Sequence, residues 1–223
     1  MTPFILERIT QPEVEPVTLA EMKRHLRAFS SVTDEDADIT ALIVGAREWA
    51  EHYTGRALID QQWRLTIDSR GAPVGDVVSG FSGYPARCGY YTGVFDWSSR
   101  SEIRLRRSPA LQVVSIKSVD SAGVETTIDS TTYQLREVDS KWPRVVALSG
   151  SWTASMLRIL FRAGFADTVS SPGEGAEVVP VCFKQAIKLW AEANYDRDEK
   201  MMPVLLKTAE GLLDKESTSS GFA

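Results

Sequence analysis

PVTLAEMKRHLRAFSSVTDEDADITALIVGAREWAEHYTGRALIDQQWRLTID, residues 16–68, reads as a short helix, an acidic loop, a longer helix, a glycine stop and a strand. Thr18 can cap the first helix, and Glu21 stands three residues later, the spacing of a capping box. Leu19, Met22, Leu26 and Phe29 then mark one helical face. The pattern breaks at Ser30–Ser31. Thr33 or Asp34 is the expected cap of the second helix, with Asp34, Glu35, Asp36 and Asp38 crowding its positive first turn. Ile39, Leu42, Ile43, Ala46, Trp49, Ala50 and Tyr53 form its apolar stripe, and Gly55 supplies the left-handed residue that ends many helices. Trp63, Leu65 and Ile67 alternate with Arg64 and Thr66, as in a half-buried strand.

Upstream, Pro3, Pro12 and Pro16 predict an extended N-terminus. Phe4, Ile5 and Leu6 are apolar enough to lie along a surface, a neighbouring subunit's being one candidate and a partly ordered tail the alternative. Downstream, residues 69–101 combine six glycines with Phe81, Tyr84, Tyr90, Tyr91, Phe95 and Trp97. A passive linker favours Gly, Ser and charge. This stretch is therefore expected to project and to pack on another chain, with a mobile lid as the other reading.

From Glu102 the period becomes two. Short strands are expected at Ile103–Leu105, Val113–Val119, Val124–Ile128, Tyr133–Leu135, Val145–Leu148 and Met156–Phe161, an antiparallel or barrel-like unit. Helical spacing returns after Pro180, and a last helix starts at Met202–Pro203. The expected fold is α+β: a small bundle of two N-terminal and two C-terminal helices with an inserted antiparallel β unit. Its segments are 1–60 (the helical pair), 61–170 (the β unit with the 69–101 loop) and 171–223 (the C-terminal helices and tail, packing with 18–55).

The chain has 223 residues, 43% hydrophobic and 25% charged, an ordinary globular balance. No apolar run is long enough to cross a membrane, and the N-terminus lacks a signal-peptide layout. Two cysteines without metal-type spacing, Cys88 and Cys182, suit a reduced cytoplasm. The net charge is −5, opposite to the balance of a protein that grips DNA phosphates. Solubility explains such a balance, and so does an acidic wall past which DNA slides.

Chemistry is sparse. The only histidines are His25 and His52; His52 lies four residues after Glu48, yet nothing completes a metal set. No nucleophile elbow, Walker A or dinucleotide glycine pattern occurs. No enzymatic activity and no cofactor are expected. Arg104, Arg106 and Arg107 cluster near one strand. They could line a nucleic-acid path, or form a solvated face or an inter-subunit row of charges.

The residues Pro16-Val17-Thr18-Leu19-Ala20-Glu21, the Leu26 helix end, Ala46-Arg47-Glu48, Tyr53-Thr54-Gly55-Arg56, and Gln61 with Trp63 resemble the start of the phage head–tail connector (adaptor) family, which includes proteins of gene transfer agents. The resemblance covers the N-terminal quarter well and extends more loosely to Leu157–Phe165 and the helix after Pro180. It implies a virion protein made in the host cytoplasm. In that setting subunits form a ring, dodecameric to match the portal protein, that extends the channel for packaged DNA without reading its sequence. The ring also docks a tail or head-closure (stopper) protein. A stopper or other tail-completion protein is the alternative identity, with an enzyme or DNA-binding regulator further off. The resemblance further implies that the C-terminal segment reaches the portal. Met202, Leu205, Leu206, Ala209, Leu212, Leu213 and Phe222 are the residues expected to dock there.

Overall fold

The structure is a computed structural model that describes residues 4–28, 33–68, 101–149, 152, 154, 156–165, 179–196 and 198–218. Among them are four helices: α1 (Leu19–His25), α2 (Asp36–Thr54), α3 (Val181–Asp196) and α4 (Met202–Leu213). Eight strands accompany them: β1 (Phe4–Arg8), β2 (Gln61–Asp68), β3 (Glu102–Arg104), β4 (Ala110–Val119), β5 (Glu125–Thr127), β6 (Tyr133–Arg136), β7 (Arg144–Ala147) and β8 (Met156–Ala163). The fold is α+β, and all strand pairs in its two sheets are antiparallel. The described residues of Met1–Gln11 and Gln61–Ala163 form one compact unit, and those of Pro12–Asp60 and Gly164–Gly221 form another.

The second unit is the helical one. The capping box is present: Thr18 Oγ1 accepts from the Glu21 N–H at 3.2 Å, and the Glu21 carboxylate accepts from the Thr18 N–H at 3.0 Å. A cap of this kind is worth about 1 kcal/mol. Helix α2 starts differently from the sequence expectation. Its cap position is Glu35, not Thr33 or Asp34, and no side chain bonds there. The acidic first turn with Asp36 and Asp38, facing the positive helix end, stands in for the missing cap. At the other end Gly55 takes the left-handed conformation at φ +71° and its N–H bonds to the Glu51 carbonyl. The stripe read from α2 packs as expected: Ile39, Ile43, Ala46 and Ala50 are buried with Met22 of α1, Phe183, Ala186, Ile187 and Ala191 of α3, and Ala209 and Leu213 of α4. Trp49 and Trp190 stack at its margin, ring centres 6.1 Å apart.

The first unit holds both sheets. The larger has the order β1-β2-β8-β4-β5 and the smaller β3-β7-β6. Alternation makes the larger sheet two-faced. Trp63, Leu65 and Ile67 of β2 stand opposite Phe161, Ile159 and Leu157 of β8, and all six are buried. The intervening residues carry charge, with Arg64 bonded to Glu7 at 2.9 Å. Lys117 (2.9 Å) and Arg158 both bond to Glu125, and the Lys117 hydrogen bond leads in holding that carboxyl below the usual range. The N-terminal residues are not a loose tail: Phe4–Arg8 pairs with β2 along its whole length. That strand belongs with the sheet, although 1–60 had been assigned to the helical pair from the sequence pattern.

Candidate interaction surfaces

Among the described residues no group of three His, Cys, Asp or Glu could hold a metal ion, and no helix is long and apolar enough to cross a membrane. His25 pairs with Glu192 at 2.9 Å, which ties α1 to α3. Glu48, four residues before His52, lies 3.8 Å from Arg47. A cleft of about 560 Å³ opens in the sheet unit beside Ser118, Asp120, Ser121, Thr132, Ser149 and Trp152. Its single carboxylate is already engaged, since Asp120 accepts from the Ala122 and Val124 N–H groups at 2.8 and 2.9 Å. Among the described residues that line the cleft, no other base and no cation stands with the hydroxyls.

Each arginine singled out from the sequence lies over an aromatic ring. Arg104 lies over Trp142 at 4.9 Å, Arg106 over Phe4 at 4.3 Å and Arg107 over Trp63 at 4.6 Å. Ile103 and Leu105 are buried, and β3 ends at Arg104, so strand alternation does not carry on to Arg106. A guanidinium on a ring gains cation–π attraction and covers apolar surface with its stem. These three side chains therefore pack the sheet unit as well as carrying charge. Arg64, Lys117 and Arg158 are further charges of the larger sheet, each with a carboxylate partner.

Helix α4 divides the expected docking set. Ala209 and Leu213 are fully buried in the bundle, so neither can meet a partner while α4 stays packed. Met202, Leu205 and Leu206 are half-buried. The residues left open are Val204 at 56% exposed, Met201 at 49% and Leu212 at 36%. Spacing 201, 204, 208, 212 follows one helical face, with Thr208 between the apolar positions. Phe222 and the aromatic set Phe81, Tyr84, Tyr90, Tyr91, Phe95 and Trp97 lie outside the described residues.

Three contacts fasten the end of α4 to the end of α2. Tyr53 donates to Asp214 at 2.6 Å, Arg56 bonds to Glu216, and Thr218 donates from its N–H and its hydroxyl to the Thr54 carbonyl at 2.8 and 2.9 Å. Arg56 also lies 4.8 Å over the Phe165 ring. Gly55 is the residue that permits this approach, because a Cβ there would stand 2.3 Å from Thr218 Oγ1. The Asp214 hydrogen bond, with some help from burial, pushes the Tyr53 phenol up to about 12. Asp214→Asn is expected to bring that phenol back toward the ordinary value near 10, read as a difference in the alkaline absorbance titration. An unchanged titration would mean that the bond does not form in solution.

No protein-family model matches the chain, and no curated protein matches it significantly. Solved structures do. A chain in the structure of the virion of a native gene transfer agent particle is similar with a TM-score of 0.62 and 24% identity, covering 86% of this chain and 84% of that one. A chain in the neck of an empty gene transfer agent particle, computed with C6 symmetry, gives 0.62 at 23% identity over 92% and 94%. One in the neck of the native particle, computed with C12 symmetry, gives 0.59 at 23% over the same shares. The likeness runs through both units, and the chain shares its fold with these chains.

Proposed function

We propose that this chain is a structural neck protein of a phage-like or gene transfer agent particle, a head–tail connector. Its subunits form a ring under the portal protein, extend the channel for packaged DNA, and dock the tail or head-closure protein. The observation that carries this reading is the shared fold with neck chains over nine-tenths of both lengths. The capped α1–α2–β2 segment supports it independently through its sequence resemblance. A net charge of −5 suits a channel wall that does not hold the polymer passing through it. The exposed face of α4, with Met201, Val204 and Leu212, is the surface assigned to the portal, as a helix laid into a groove.

Deleting the gene is the direct test. Filled heads without tails are expected, and cryo-electron microscopy of intact particles is expected to place the chain as a ring between portal and tail. Fully tailed particles from the deletion would sink the proposal. So would a map placing the chain below a separate connector ring, which would make it a head-closure protein.

A further inference from the structure

The five-stranded sheet has two unlike edges. Ile9 donates to Gln62 at 2.8 Å, and the register makes residues 5 and 7 the next to bond across to β2. The backbone groups of Phe4 and Leu6 therefore point to the outer side of β1. At the far edge Ile128 donates to Ile116 at 2.8 Å and Asp120 to Val124 at 3.1 Å, so 124, 126 and 128 face β4. The groups of Glu125 and Thr127 point outward. Among the described residues no strand pairs with either outer side. Neither edge contains a proline or a register shift, and both expose β-branched residues: Ile5 at 56% and Val124 at 59%. β5 is only three residues long, but an open edge is a template for another chain.

We propose that the sheet continues from one copy of this chain to the next, β5 of one subunit pairing with β1 of its neighbour. Strand direction selects this occupant. Four successive antiparallel pairs leave β1 and β5 running the same way, so copies related by rotation join these edges as a parallel pair. An interface between two unlike edges repeats and closes into a ring, whereas β1 on β1 stops at a dimer. The register follows from the outward groups. The Leu6 N–H donates to the Glu125 carbonyl, and the Leu6 carbonyl accepts from the Thr127 N–H. Leu6 then stands opposite Thr126, and the two lie on the same face of the sheet, through Leu65 and through Ser118 opposite Leu157. Five strands at about 4.8 Å give each copy an arc of about 24 Å, and a twelvefold ring a sheet radius of about 46 Å. The inference rests on the ring proposed above.

This register puts Glu7 opposite Thr127 of the neighbour. The double variant Glu7→Cys, Thr127→Cys, made with Cys88→Ser and Cys182→Ser and treated in particles with a short bis-maleimide, is expected to give a ladder of multimers that neither single variant in the same background gives. Thr127→Pro removes an outward N–H and no bond within the subunit. It is expected to weaken subunit association by about tenfold or more per interface while leaving the melting temperature of the free chain unchanged. Particles that contain the chain but yield no ladder overturn the shared sheet and leave the connector reading standing. A dimer from Glu7→Cys alone overturns it in favour of β1 on β1. Absence of the chain from necks sinks the connector reading alone; the ladder is then sought in the concentrated purified chain, where its absence overturns the sheet.

Discussion

Arg47→Ala is expected to cost about 3–5 kcal/mol of folding stability, because it breaks a buried ion pair. The Arg47 side chain is 2% exposed; its guanidinium bonds to Glu51 at 3.0 Å and to Glu15 at 2.8 Å. Glu51 is equally enclosed, and its other oxygen accepts the Leu58 N–H at 2.9 Å. Removing the cation takes the Arg47 guanidinium away from Glu51 and Glu15 together. Urea melts measure the loss. Arg47→Met combined with Glu51→Gln keeps the Leu58 bond and removes the Glu51 charge, so it is expected to recover most of it. A single variant that melts with the wild type would show that water reaches this network. Glu15 adds a pH signature. Burial, outweighing the pull of Arg47, raises its carboxyl above 4.5. A carboxyl raised by folding holds more proton in the native state, so its contribution is full below about 4.5 and is lost as pH rises through the folded value. Glu15→Gln is expected to flatten that slope.

Charge placed on α4 is expected to give two opposite outcomes according to position. Leu213→Asp puts a carboxylate where the side chain is fully buried. It is expected to cost about 4 kcal/mol or more and to unfold the helical unit in thermal melts. Val204→Asp with Leu212→Asp changes exposed positions and is expected to stay within about 1 kcal/mol of the parent. The same double variant is nevertheless expected to fail to join portal-bearing heads, read as its absence from purified particles. Normal incorporation would remove α4 from the docking surface. Leu206→Asp with Leu213→Asp would test folding rather than docking, because Leu213 belongs to the bundle.

That pair illustrates what a sequence can and cannot carry. Period 3.6 places Leu205, Leu206, Ala209, Leu212 and Leu213 on one broad stripe but does not say which neighbour covers it. Only the packing of α3 and α2 divides the stripe into Ala209 and Leu213 inside and Leu212 outside. Local signals were read well because their cause is local. The Thr18–Glu21 box, the Gly55 stop and the alternation of Trp63, Leu65 and Ile67 each act within a few residues. Strand β1 escaped notice because its partner is some sixty residues away, and nothing in Phe4–Arg8 names it. The burial of Arg47 was not legible for a related reason: it depends on Glu15 and Glu51 arriving together. The arginines at 104, 106 and 107 were visible as a cluster, but their aromatic partners come from β1, β2 and Trp142.

The division of the chain into an inner and an outer segment sets an order of events during synthesis. Helices α1 and α2 are finished when residue 54 emerges, yet their buried face needs Phe183, Ile187, Ala209 and Leu213. About 160 residues must follow, which at 5–20 residues per second leaves that face uncovered for about 8–30 s. The sheet unit closes in the interval, since β8 is complete at Ala163. The nascent helical pair is thus an apolar surface waiting on the ribosome, the natural client of a chaperone. The contacts of Tyr53, Thr54 and Arg56 with residues 214–218 are among the last to form, so they report that the bundle has closed.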